Sequence, residues 1–322
     1  MFEYSIIMEL RNLIMIKINE INDLNQLYQY YMKKTLEDKT FVLLSSEDFL
    51  RMVKKGFARV SQEGLNINGF MIWHMREKQC YITMLIGDSL EIKNNLLEAF
   101  ESIIRMDGQT DEILIHFMNP ISLSWYPKKN VVHPCYQGVL LDEENFELYQ
   151  HHTYLVHSIQ DTYYRDLSSF VIPDDVIDHL NLNEQEGIEI AFYDPKKHKG
   201  LIEFTEDIHA PHWRDVILDN EKAEHVLPLL VALKNNRVIG FTGPLKVEPN
   251  GRGYFAGIGI LESERGKKIG KTLFFMLCQR LKEMGASYMT LYTGNQNPAR
   301  FIYLDAGFKV FKSFATMKKT IK

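Results

Sequence analysis

One segment limits the possible folds of this chain more than any other: Glu264-Arg-Gly-Lys-Lys-Ile-Gly-Lys-Thr272. It follows Gly253 to Ile260, an apolar glycine-containing run that predicts a strand, and leads into a helical pattern over Lys271 to Met284. Leu273, Leu277, Leu281 and Met284 recur at spacings of four, four and three, and Gly285 stands where a left-handed C-terminal residue is favoured. A strand that turns into a helix through a basic glycine loop defines an α/β unit. The free N–H groups and dipole of such a helix start attract phosphate. A run of charge is more often a solvated turn, but the glycines and the strand-to-helix placement favour phosphate. A P-loop is the weaker reading, because Gly266 and Gly270 enclose three residues where that motif needs four.

The flanking pattern alternates strands and helices. Pro228 to Phe241 predicts a hairpin across Lys-Asn-Asn-Arg, and Tyr288 to Tyr292 a short strand. Asn297 offers a cap and Pro298 a first turn for a helix that stops at Gly307, and Phe308 to Met317 closes as a strand. The first half echoes this order. Gly69-Phe70 corresponds to Gly240-Phe241, Tyr81 to Ile86 to Phe255 to Ile260, Ile92 to Ile104 to Lys271 to Met284, and Asn119-Pro120 to Asn297-Pro298. The offset grows only from 171 at Gly69 to 178 at Asn119. A duplicated fold is therefore expected, with domains at residues 1–167 and 168–322, which suits a chain of 322 residues. The Pro- and acid-containing stretch Ser168 to Gly187 is expected to connect them, and Met15 to Ile21 to form an opening strand. Where the second copy has its basic loop, the first has Gly87-Asp88-Ser89-Leu90-Glu91, whose acids would repel a pyrophosphate.

Composition narrows the classes of partner. The chain is 45% hydrophobic and 25% charged, which is globular, and no apolar run nears the ~20 residues that span a bilayer. The first residues have no signal-peptide pattern. Cys80, Cys135 and Cys278 fit no zinc or redox spacing and predict free thiols in a reducing cytoplasm. The net charge of −5 hides an asymmetry: residues 265–322 carry nine Lys and three Arg against Glu283 and Asp305. That basic end suits an anionic partner, and without a nucleic-acid-binding signature a phosphorylated cofactor is favoured over nucleic acid.

Arg265-Gly-Lys-Lys-Ile-Gly270 resembles the acyl-coenzyme A signature Arg/Gln-x-x-Gly-x-Gly/Ala of the GCN5-related N-acetyltransferases (GNAT), with Lys268 in place of the first glycine. Asn297-Pro-Ala-Arg-Phe-Ile-Tyr303-Leu-Asp-Ala-Gly-Phe308 resembles that family's second motif, Asn-x-x-Ala-x-x-x-Tyr-x-x-x-Gly-Phe, with Ala299 one residue early. The likeness covers Pro228 to Lys322 well and the first half in outline. It implies an α/β (α+β) fold of two tandem GNAT-like domains, each a mixed, mostly antiparallel central sheet flanked by helices, the first degenerate. It further implies acetyl-CoA as cosubstrate, no metal, and direct transfer to a primary amine in a ternary complex. By this resemblance Ile258, Gly259 and Ile260 lie on the strand that pairs with pantetheine. Arg265, Gly266, Lys267, Lys268, Ile269, Gly270 and Lys271 hold pyrophosphate. Asn297 and Ala299 belong to the second motif with Tyr303, the general acid, although a lone Tyr there also suits a core.

Glu262, just ahead of the loop, is a candidate proton acceptor and equally a surface carboxylate. In His209-Ala-Pro-His212-Trp213, two His three apart make a weak metal motif. The resemblance instead puts His209, His212 and Trp213 beside the acceptor pocket. A non-catalytic acyl-CoA-binding module is the rival from another class.

Overall fold

The computed structural model describes residues 24–209 and 211–321; the expected opening strand at Met15 to Ile21 lies outside them. Two compact units divide the chain. Of the described residues, one unit comprises 24–161 together with 312–321, and the other runs Thr162–Phe311.

In the first unit, helices α1 (Leu24–Asp38) and α2 (Ser46–Lys55) precede strands β1 (Phe57–Glu63), β2 (Asn66–Arg76) and β3 (Gln79–Gly87). These strands form an antiparallel meander. Helix α3 (Leu90–Asp107) then crosses to β4 (Glu112–Ile115), which runs parallel to β3 from Gln79↔Glu112 to Tyr81↔Leu114. Alternation along β2 explains the layering. Phe70 and Ile72 pack with Leu27, Tyr31 and Phe49 of α1 and α2, whereas Met71 and Trp73 pack with Leu96, Phe100 and Ile104 of α3. Each such side chain contributes about 1.5–3 kcal/mol on burial. Strands β5 (Trp125–Lys128), β6 (Val131–His133) and β7 (Val139–Leu140), helix α4 (Glu144–His151) and the first half of β8 (Leu155–Asp166) follow.

The second unit opens with α5 (Asp174–Gln185) and β9 (Ile188–Phe192). The stretch Ser168 to Gly187 is thus no linker. Pro173 before the first turn and Asp174 and Asp175 within it are helix-start signals, and Val176 anchors the helix in the core. Helices α6 (Leu201–Asp207) and α7 (Pro211–Lys222) lead to the hairpin β10 (Leu230–Lys234) and β11 (Arg237–Thr242). Its two-residue turn holds Asn235 and Asn236 at φ 52° and 58°, as a type I′ turn requires.

The strand expected over Gly253 to Ile260 is broken. Only β12 (Arg252–Gly253) and β13 (Ile258–Ile260) pair, on either side of Gly257 at φ 153°. Helix α8 (Ile269–Glu283), β14 (Tyr288–Gly294), helix α9 (Arg300–Asp305) and β15 (Lys309–Thr320) complete the chain. Strands β13-β11-β10-β9 are antiparallel, and β12 runs parallel to β14. Here again one face carries α8, through Leu273 and Leu277 against Leu230 and Ala232. The other carries α6 and α7, through Phe204 and Ile217 against Val231 and Leu233.

The order β1, β2, β3, α3, β4 therefore recurs as β10, β11, β12 with β13, α8, β14. Each copy is a mixed, mostly antiparallel sheet between helices, as the sequence leads one to expect. Residues 312–321, which the sequence groups with the second half, pack in the first unit instead. Met317 pairs with Ile115 and Phe314 with Leu140, and Ala315 and Met317 join the core under α3.

Candidate functional site

Helix α8 begins behind Lys268, which adopts a left-handed conformation (φ 62°, ψ 8°), and no side chain caps it. Its first turn closes with Thr272 N donating to Lys268 O at 3.0 Å. The backbone N–H groups of Gly266, Lys267, Lys268, Ile269, Gly270 and Lys271 reach no acceptor among the described residues. Consecutive free donors on a helix start form an anion cradle, and the oxygen-rich diester of a pyrophosphate fits this donor set. Gly266 at φ 88° gives the turn its conformation. The equivalent point of the first unit is closed. Ser89 caps α3 by accepting from Ile92 N at 3.3 Å, and Asp88 sits beside it, bonded to Lys34.

The lysines of the loop are largely matched by the protein's own acids. Lys267 lies 2.9 Å from Glu264 and 3.4 Å from Glu186, and these carboxylates, Glu264 first, raise its pKa. Lys271 lies 3.0 Å from Asp175 and 3.3 Å from Asp305; burial opposes its charge, but the two acids keep its pKa above the ordinary value. Arg265 is 65% exposed and reaches Glu262 only at 4.0 Å.

Strand β13 lies at the end of its sheet, paired with β11 through Gly240↔Ile260 and Thr242↔Ile258. Its other edge is open to a further extended chain. The glycines nearby admit a neighbour from within the protein. The Trp213 indole packs where a Cβ on Gly257 or Gly259 would stand (2.3 and 2.7 Å), and its Nε1 donates to Ala256 O at 3.0 Å. Gly240 likewise makes room for Ile260.

Tyr303 is 4% exposed and packs against Phe274, Tyr163 and Phe255, with ring centroids 4.9, 5.8 and 6.0 Å away. Burial, and secondarily Tyr163, raise the pKa of its phenol. Ile258, Ile260, Ala299 and Ile302 pack on the same core. Asn297 accepts from Ala299 N at 3.0 Å and donates to Thr293 Oγ1 at 2.9 Å, so it does start the turn into α9. Asn119 repeats the device, accepting from Ile121 N at 3.0 Å and donating to Thr83.

The fold thus brings together the loop, β13, Trp213 and Tyr303. Glu262, 91% exposed, and His209, exposed at φ 53°, stand apart from this packing. His212 lies in α7, its side chain outside the described part of the structure. Sequence reasoning missed Tyr163 and the acids Asp175, Glu186 and Asp305, which come from elements distant along the chain. Trp213 could have been linked to the paired glycines 257 and 259, whose missing side chains signal a close neighbour.

Residues 190–308 match the model of the Acetyltransferase (GNAT) family. Among solved structures the chain is similar to the GCN5-related glucosamine N-acetyltransferase region of a fungal multi-domain GH3 β-N-acetylglucosaminidase (16% identity, TM-score 0.65, covering 92% of this chain and 37% of that one). It is also similar to a GCN5-related N-acetyltransferase from Sphaerobacter thermophilus (13% identity, TM-score 0.61, 93% of each chain). A tandem GNAT protein from the clavulanic acid biosynthesis pathway shares the fold at 10% identity and TM-score 0.57, over 95% of this chain and 97% of that one. No curated protein matches the chain. No helix among the described residues is long and apolar enough to cross a membrane.

Proposed function

We propose that the second unit binds acetyl-CoA and transfers its acetyl group directly to a primary amine while both substrates are held. The row of free N–H donors from Gly266 to Lys271, ahead of the uncapped α8, carries this reading. Arg265 adds a charge-assisted contact to phosphate, worth about 1.5–3 kcal/mol. Lys267 and Lys271 add less because their own carboxylates already hold them. The open edge of Ile258, Gly259 and Ile260 suits the amides of pantetheine, and Asn297 and Ala299 set the turn that carries Tyr303.

The acyl donor supplies an activated thioester, and the chain's task is to orient it and manage protons. Tyr303 holds its phenolic proton at neutral pH and gives it to the departing sulfur, whose thiol has a pKa near ~8.5. Glu262, well solvated, receives the amine proton through water. Trp213, with His209 and His212 on the adjoining segment, borders the acceptor. The first unit is a degenerate copy that binds no CoA. Three free cysteines support a reducing, cytoplasmic setting.

A thiol-release assay with acetyl-CoA against amino acids, polyamines, aminoglycosides, peptides and glucosamine, the acceptor named for the fungal relative, tests the reading. Tyr303→Phe is expected to fold and bind acetyl-CoA normally while kcat falls at least tenfold. Unchanged turnover removes the acid role. Acetyl-CoA binding without turnover on any amine leaves the binding-module alternative.

A further inference from the structure

A cavity of about 490 Å³ opens in the first unit, where β3 and β4 diverge beyond Tyr81↔Leu114. Its walls are apolar along Ile82, Met84, Ile115 and Val139, and its polar lining is unbalanced. Glu37, Asp38, Glu143 and Glu144 face Lys34 and Lys93, and both lysines are already engaged. Lys93 Nζ is 2.5 Å from Glu144 and 3.1 Å from Asn145, and Lys34 Nζ is 2.6 Å from Asp88 and 3.4 Å from Glu37. Neither Asp38 nor Glu143 makes an ion pair among the described residues, and Lys93, held by Glu144, acts on Glu143 only at longer range. Glu143 receives only a long bond, 3.4 Å, from the Tyr136 hydroxyl.

A second observation points the same way. Tyr149 lines the cavity at 4% exposure, and its hydroxyl makes no hydrogen bond among the described residues. It stands near enough to Glu143 that, after burial, that carboxylate is what raises its pKa. A buried phenol usually has a partner, so an unbonded one beside an acid that makes no ion pair suits a polar ligand. An anion is disfavoured by the acids, and the nearest helix start is occupied by Ser89.

We propose that this cavity is a binding site for a small organic ammonium ion, a primary amine on a short apolar body. The charged end lies against Glu143 and Asp38, donating also to the Tyr149 oxygen, and the body fills the aliphatic wall. The site does not depend on acetyl transfer in the other unit.

Protonation follows from the same surroundings. Burial first, then Asp38, push the Glu143 pKa up to about 7. The other groups facing it are Asp142 and Tyr136 on the preceding loop, Lys93 on α3, and Glu144 and Tyr149 on α4. His116 adds no positive charge at neutral pH, because burial and then His157 push its pKa down to about 4. A neutral Glu143 has no charge to offer, so ammonium binding should strengthen as pH rises from 6 to 8, while an alkylamine stays protonated.

Calorimetric titration of the full-length protein with n-hexylamine, and with 1-hexanol and hexanoate as neutral and anionic matches, tests this. Saturable hexylamine binding is expected, at least tenfold tighter than hexanol and tighter at pH 8 than at pH 6. Glu143→Gln should weaken it tenfold or more while acetyl-CoA affinity stays within twofold. Asp38→Asn, at an exposed helix end, should weaken it several-fold and serves as the second variant should the first fail to fold. Failure of hexylamine to bind, equal binding in either folded variant, or hexanoate binding as tightly overturns the site. Loss of acetyl-CoA binding in the wild type would instead count against the transferase reading alone.

Discussion

Lys268 occupies the position where the GNAT signature has a glycine, and its backbone shows why that residue type is favoured there. A left-handed conformation costs a residue with a Cβ about 1–2 kcal/mol, part of which glycine loses again to its greater freedom when unfolded. Lys268→Gly is therefore expected to stabilise the protein by ~1 kcal/mol without weakening acetyl-CoA binding, since the N–H group remains. Thermal unfolding checks this, and a lowered melting temperature would contradict it. The loop was legible in sequence as glycines and charges between a strand and a helix. The carboxylates that match its lysines were not. Asp175 lies 96 residues from Lys271, and no local pattern reports such a partner.

Helices α3 and α8 are equivalent elements whose starts differ in one respect. Ser89 satisfies the start of α3 from within, whereas nothing in the described chain satisfies the start of α8. Ser89→Ala should cost ~1 kcal/mol and leave acetyl-CoA affinity unchanged. A loss of acetyl-CoA binding would mean that the first unit takes part in holding it. Periodicity revealed both helices because their apolar faces repeat over several turns: α3 was expected over Ile92 to Ile104 and spans Leu90–Asp107. The break between β12 and β13 was hidden, because a glycine in an apolar run reads equally as strand or as kink. Helix α5 was missed for a related reason, its proline and acids being shared by linkers and helix starts.

The division between units cuts twice through the chain, after Asp161 in β8 and after Phe311 in β15. The duplication was visible in sequence through matched landmarks, and Gly69 and Gly240 prove to share a physical cause. Each admits an isoleucine, Ile92 and Ile260 respectively, against its strand. The destination of the last strand was not visible, since alternation tells which face of a strand is apolar but not which strand it pairs with. Removing residues 312–322 should therefore unfold part of the first unit. It deletes the partner of β4 and the buried Phe314 and Met317, at a cost of roughly 3 kcal/mol or more. Calorimetry should show the first unit melting earlier, and an unchanged transition would contradict the assignment.

The central claim is that backbone donors from Gly266 to Lys271 hold the phosphates of acetyl-CoA. Amide hydrogen exchange resolved over these residues tests it most directly. In the free protein they should exchange rapidly, having no acceptor among the described residues. With saturating acetyl-CoA they should slow at least tenfold, while the start of α3 at Leu90 to Ile92 stays as it was. Acetyl-CoA that binds by calorimetry yet leaves the exchange of residues 266–271 unchanged would contradict the claim.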